Sequence, residues 1–112
     1  MVRGEIWYAV WPTDPGRKAR PVLVISNNHR NSARNLLDVV VVKLTGLYRD
    51  DGSKKPTNPV EDVVIKFKKE TIIRCGAIFS IEKSILTSKV ALLSTATMKE
   101  VDEKLRHVLD LN

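Results

Sequence analysis

The sequence predicts a mainly β fold, a small and strongly bent sheet or barrel covered by one C-terminal α-helix. Two observations carry this prediction. Short β-branched and aromatic runs recur through residue 93, punctuated by Pro, Gly and Asn clusters. Apolar spacing then switches to three and four, in Met98, Val101, Leu105, Val108 and Leu109. Many short strands and one amphipathic helix bury their apolar faces most economically when the sheet curls and the helix lies across it.

Glu5–Trp11 reads as the first strand, ended by Pro12. Pro12–Lys18 is loop chemistry. Pro21–Ser26 is a continuous apolar run, expected to be a strand buried on both faces. The polar Asn27–Ser32 cannot continue it. Asp38–Leu44 is a third strand. Residues 48–61 carry Gly, Ser, Asn and two prolines among charges and are expected to form a long exposed loop. Asp62–Phe67 resumes strand, Lys68–Glu70 is a polar turn, and Thr71–Ser80 is strand with a bend or bulge at Gly76. Ile81–Leu86 fits a single helical turn and Lys89–Leu93 a last strand. Thr97–Glu100 matches a helix-capping box, with Ser94 and Thr95 as competing caps. His107 projects away from the apolar stripe and is expected on the surface.

The chain has 112 residues, which suits one domain, residues 1–112. No apolar run approaches the ~20 residues of a membrane-spanning helix, and the N-terminus lacks a signal-peptide stretch. One cysteine, Cys75, excludes a disulfide framework within the chain, so a reduced, cytoplasmic setting is expected. Net charge is +6. Residues 1–95 hold 16 basic and 9 acidic residues, and residues 96–112 hold 3 and 4. The positive excess therefore lies outside the terminal helix, where a polyanion such as nucleic acid is a natural partner; basic character for solubility alone is the other reading.

Metal chemistry finds no support, because His29 and His107 are far apart and no paired-ligand spacing occurs. Phosphate-loop and nucleophile-elbow motifs are absent, and no cofactor is implied. Cys75 sits in a β-branched run and reads as a small buried hydrophobe. What remains is Arg17-Lys18-Ala19-Arg20-Pro21, three cations at the start of the second strand. Pro21 biases Arg20 to an extended backbone, and a guanidinium held there could clamp a phosphate. An ordinary surface arginine before a strand is the competing reading.

Arg3-Gly4-Glu5-Ile6-Trp7, a Pro/Gly loop, and Arg20-Pro21-Val22-Leu23-Val24-Ile25-Ser26 together resemble the opening of the MazF/PemK toxin family. Val41–Thr45 is similar to that family's third strand, Ala77–Lys83 to its Q-[IV]-R-[TS]-[IV]-[DE]-K segment, and Val101–Leu105 to its C-terminal helix. The resemblance implies a small SH3-like barrel of the PemK/CcdB type that forms a homodimer. It also implies metal-independent cleavage of single-stranded RNA and neutralisation by an acidic antitoxin. Attack of the ribose 2′-OH on the adjacent phosphate would leave 2′,3′-cyclic phosphate and 5′-OH ends.

By the same resemblance Arg20 neutralises the phosphate and takes part in proton transfer, and Thr45 hydrogen-bonds the phosphoryl oxygens. Arg17, Lys18, Arg30, Arg49, Lys54 and Lys55 lie in expected loops and are candidates for holding the RNA, with His29 a possible auxiliary in proton transfer. Two departures stand out. Phe79 replaces an arginine common in the family, and the first loop is short and lacks an acidic residue that many relatives carry. A CcdB-like toxin that binds gyrase without catalysis, or an RNA-binding barrel without activity, are the alternatives on the same fold.

Overall fold

Val22, Leu23 and Val24 are each at most 1% exposed, as their unbroken apolar run requires. In the computed structural model, which describes residues 1–112, they belong to β2 (Arg20–Val24), an inner strand of a six-stranded antiparallel sheet. The other strands are β1 (Glu5–Ala9), β3 (Asp38–Gly46), β4 (Asp62–Phe67), β5 (Lys69–Glu82) and β6 (Leu86–Leu92). Their order across the sheet is β4-β5-β3-β2-β1-β6. The two outer strands do not pair with each other, so the barrel is partly open. Helix α2 (Thr95–Leu109) packs on β4 and β5. The mainly β architecture with a terminal helix is the one expected.

Side-chain alternation divides the core in two. Leu23, Val42, Leu44, Ile73 and Cys75 join Val101 and Leu105 of α2 on one side. Val22, Val24, Val39, Val41 and Ile81 form a second cluster with Ala9 and Leu86. Leu109, in the last turn of α2, is half exposed, and His107 is exposed as expected.

Several boundaries move for local reasons. β1 stops at Ala9; beyond it the Val10 N–H turns to the carbonyl of Ile85 at 3.0 Å, outside the ladder. The polar stretch after β2 forms a one-turn helix, α1 (Asn28–Ser32), because the Asn27 side chain accepts the Arg30 N–H at 2.8 Å. β5 is longer than expected. Lys69 and Glu70 already pair with β4, and the hairpin tip narrows to Lys68, which takes a left-handed φ of 57°. The helical turn shrinks to Lys83–Ile85, and β6 begins at Leu86. Of the candidate caps, Ser94 wins: its hydroxyl accepts the Thr97 N–H at 3.1 Å.

The expected bulge is present. Val42 pairs with Ile78 but Lys43 pairs with Arg74, leaving Cys75, Gly76 and Ala77 bulged from β3. A side chain at Gly76 would collide with the Glu61 carboxylate. The stretch after β3 is less open than its composition suggests. Tyr48 bridges Lys54, and the Arg49 N–H donates to the Ser53 carbonyl at 2.8 Å, making a miniature hairpin within it.

The N-terminus is tied down by its own motif. Arg3 donates to Asp102 of α2 at 2.6 Å and to the Ile25 carbonyl at 2.8 Å. Gly4 (φ 95°) donates its N–H to Val24 at 2.9 Å and accepts from Leu93 at 3.0 Å. Glu5 is only 6% exposed and accepts from the Val2 N–H, the Trp7 indole and Lys89. Burial alone would raise its pKa, but these donors outweigh burial and hold it below the ordinary 4.5.

Two outcomes follow. Gly4→Ala forces a side chain into a positive-φ position and is expected to cost about 1–2 kcal/mol, read as a lowered urea midpoint with an unchanged slope. Glu5's contribution is complete above its ordinary pKa and lost as pH falls through the lowered folded value. Below about pH 4, wild type should therefore lose stability faster than Glu5→Gln in urea titrations at successive pH values.

Candidate functional site

β2 starts at Arg20 and the neighbouring β3 ends at Gly46. Val22 pairs with Lys43, Leu23 with Val42 and Val24 with Val41. Continued outward by two residues, this antiparallel register sets Arg20 across from Thr45. Both line one cleft of about 570 Å³. Lys18, Lys43, Lys68 and Lys69 line it too, so five cations and no carboxylate face the space. Tyr8 completes a wall, its hydroxyl accepting from Lys68 Nζ at 3.0 Å.

Arg20 is held from behind. Its Nε donates to Asp14 Oδ2 at 2.7 Å and its Nη2 to Oδ1 at 3.2 Å. These bonds hold the Asp14 carboxyl below its ordinary range and raise the Arg20 pKa further. The fork uses one edge of the guanidinium, and Nη1 remains free to donate elsewhere. Thr45 is held as well: Lys55 Nζ donates to its Oγ1 at 2.8 Å. The miniature hairpin delivers Lys55 there, with the Lys55 N–H on the Leu47 carbonyl at 2.8 Å. A cleft that offers a fixed guanidinium, a fixed hydroxyl and surplus positive charge fits a phosphodiester.

Residues 2–109 match the family of PemK-like, MazF-like toxins of type II toxin–antitoxin systems. The chain belongs to this family.

Among this toxin family, the chain is similar to the endoribonuclease MazF6 of Mycobacterium tuberculosis, at 30% identity over 114 residues, covering 97% of the chain and 96% of the relative. The same figures hold for MazF2 of Mycobacterium bovis. Its structure resembles a mycobacterial endoribonuclease in complex with its cognate antitoxin, with a TM-score of 0.77 and 27% identity, over 100% of this chain and 97% of that one. The MazE–MazF structure from Deinococcus radiodurans shares the fold, with a TM-score of 0.75 at 16% identity, over 100% of this chain and 97% of that one.

Arg20 and Thr45, the two positions singled out in the sequence, thus meet at one cleft, and Lys18 joins them. Arg17 sits in the tight turn ahead of them with φ 47° and does not line the cleft. Arg49 is spent inside the miniature hairpin, donating to Ser53 Oγ and the Lys54 carbonyl, both at 3.3 Å. Lys54 is exposed there. His29 and Arg30 lie on α1, beyond the opposite end of β2 from Arg20. Arg30 there faces the Asp38 carbonyl at 3.5 Å.

Sequence reasoning missed four residues. Asp14 corrects the reading that the first loop lacks an acidic residue, for it lies in that loop and grips Arg20. Lys68 and Lys69 form the tip of the β4–β5 hairpin, which folds over the cleft; the sequence suggested a merely solvated turn. Lys43 was the one open to inference, since it lies two residues before Thr45 on the same face of β3.

Cys75 is fully buried, and burial, followed by the nearby Asp62 carboxylate, pushes its thiol up to about 11. The native protein at pH 8 is expected to leave Cys75 unmodified by a thiol reagent such as dithionitrobenzoate, with stoichiometric reaction only in denaturant. Rapid reaction in buffer would contradict this placement.

Proposed function

We propose that the chain is the toxin of a type II pair and acts as a metal-independent endoribonuclease on single-stranded RNA. The observation that carries the reading is Arg20 set across from Thr45 in a cleft lined by five cations and no carboxylate. The ribose 2′-oxygen attacks the adjacent phosphorus and the bond to the 5′-oxygen breaks. The 2′-proton is lost, the leaving oxygen gains one, and the ends are 2′,3′-cyclic phosphate and 5′-OH.

Arg20 donates from its free Nη1 edge to a non-bridging oxygen, while Asp14 fixes the plane of the guanidinium. Because Asp14 favours the charged form, Arg20 stabilises the developing charge and does not serve as the base. Lys55 occupies an acceptor lone pair of Thr45, so the Thr45 O–H points its proton at the phosphate. Lys55 is thereby assigned to Thr45 instead of to the RNA backbone. Lys18, Lys43, Lys68 and Lys69 hold that backbone.

An acidic antitoxin would be drawn to the same cations, which supports neutralisation by occupation of the cleft. A homodimer would extend the groove beyond what 112 residues provide. Such an RNA substrate would be met in the cytoplasm, the setting this reading proposes. No helix of the chain is long and apolar enough to cross a membrane.

The test is incubation with a long RNA in EDTA, with analysis of the new ends. Wild type should yield cyclic-phosphate ends, and folded Arg20→Ala should lose at least about a hundredfold in rate. Thr45→Val should also lose strongly. Lys55→Met should slow the wild type yet add little to Thr45→Val, as expected of two residues acting as a unit. Full activity in folded Arg20→Ala would sink the assignment, and intact RNA with gyrase inhibition would favour the CcdB-like alternative.

A further inference from the structure

Arg20 borders two depressions. Beside the phosphate cleft lies a smaller one of about 270 Å³, lined by Trp11, Thr13, Asp14, Pro21, Val22 and Phe79 together with the shared Arg20 and Lys43. It falls below the roughly 300–1,000 Å³ of pockets for drug-sized ligands and suits a single ring system. Its aromatic walls are unusual in this chain, which has only six Phe, Tyr and Trp residues.

Phe79 belongs to neither core cluster and is 45% exposed near the C-terminal end of β5. It pairs with Val41, which puts it on the same sheet face as Val22, Lys43 and Arg20. An aromatic ring left bare beside a basic cleft gains most by stacking on another flat ring. In RNA, one ribose separates a base from its phosphate. A phosphate seated at Arg20 and Thr45 therefore carries a neighbouring base to within reach of this depression.

Resting on the ribonuclease reading above, we propose that Trp11 and Phe79 form a stacking subsite for one nucleobase next to the scissile phosphate. Pro21 and Val22 supply an apolar floor, while Thr13 and Asp14 offer polar atoms at the rim for the base edge. The site would contribute to the choice of RNA sequence.

The experiment first maps the wild-type cleavage sequence on a long RNA. Oligonucleotides of that sequence, each lacking one base, are then assayed with wild type, Phe79→Ala and Phe79→Trp. At one position flanking the cut, loss of the base should raise the wild-type KM about tenfold with kcat nearly unchanged. Phe79→Ala should show the same rise on intact RNA and no further rise on that abasic strand, and Phe79→Trp should recover most of the loss. Losses that multiply at every position, or an unchanged KM in Phe79→Ala, would overturn the subsite alone. A lowered molar mass of Phe79→Ala in sedimentation, with base dependence intact, would give the depression to a second copy of the chain instead. No cleavage by wild type would fail the ribonuclease reading and the subsite with it.

Discussion

The register between β2 and β3 is the constraint on which the rest depends. Leu23 and Val42 face the α2 side of the sheet, and Val22, Val24 and Val41 face the other. A slip of one residue would turn every one of these side chains to the wrong core. Two-sided burial therefore fixes the pairing far more firmly than a one-sided sheet could. The same pairing is what sets Arg20 across from Thr45. That alignment is thus a by-product of core packing, and it needs no dedicated interaction between those two residues.

The charge distribution follows from pairing of a second kind. Away from the cleft, three basic side chains have acidic partners: Arg3 with Asp102, Arg74 with Asp62, Lys89 with Glu5. Within the cleft, four lysines arrive from the first loop, β3 and the β4–β5 hairpin without a carboxylate among them. A net charge of +6 spread evenly would produce a weak field. Concentrated on one concave face it attracts polyanions, while its self-repulsion works against the fold. Lys68 is partly relieved by Tyr8, whose hydroxyl it meets at 3.0 Å and whose ring centre lies 5.3 Å away. Such an arrangement makes sense for a surface that is normally covered by an anionic ligand.

What was legible in the sequence was local. β2 and α2 announce themselves through an apolar run and a helical period, while Arg20 stands apart from an ordinary surface arginine only through the resemblance to the toxin family. Gly76 signalled its bulge because an isolated glycine in a strand run has few other uses. The rest depended on geometry between distant segments. Lys68 and Lys69 look like any polar turn until the long β5 carries that turn to the mouth of β2. His29 and Arg30 follow β2 closely in sequence, yet a strand moves about 3.3 Å per residue, so its two ends serve different surfaces. Asp14 had no pattern to betray it, and Lys55, expected to hold RNA, gave no sign of its bond to Thr45, since each acts through a turn conformation that composition leaves open.

The two supports of the site come from its most irregular segments. Strands place the Cα atoms of Arg20 and Thr45, but a strand cannot decide where a long guanidinium points or which way a hydroxyl turns. Those choices fall to Asp14 in the loop after β1 and to Lys55 in the loop after β3. Of these two loops only Trp11 packs against a core cluster, and Leu47 is buried outside both. A change in either loop would therefore reorient the Arg20 guanidinium or the Thr45 hydroxyl while leaving the β2–β3 pairing in place. This division gives one sheet the means to keep a common reaction and vary its rate and its preferred RNA, because the pairing of β2 with β3 does not itself involve either loop.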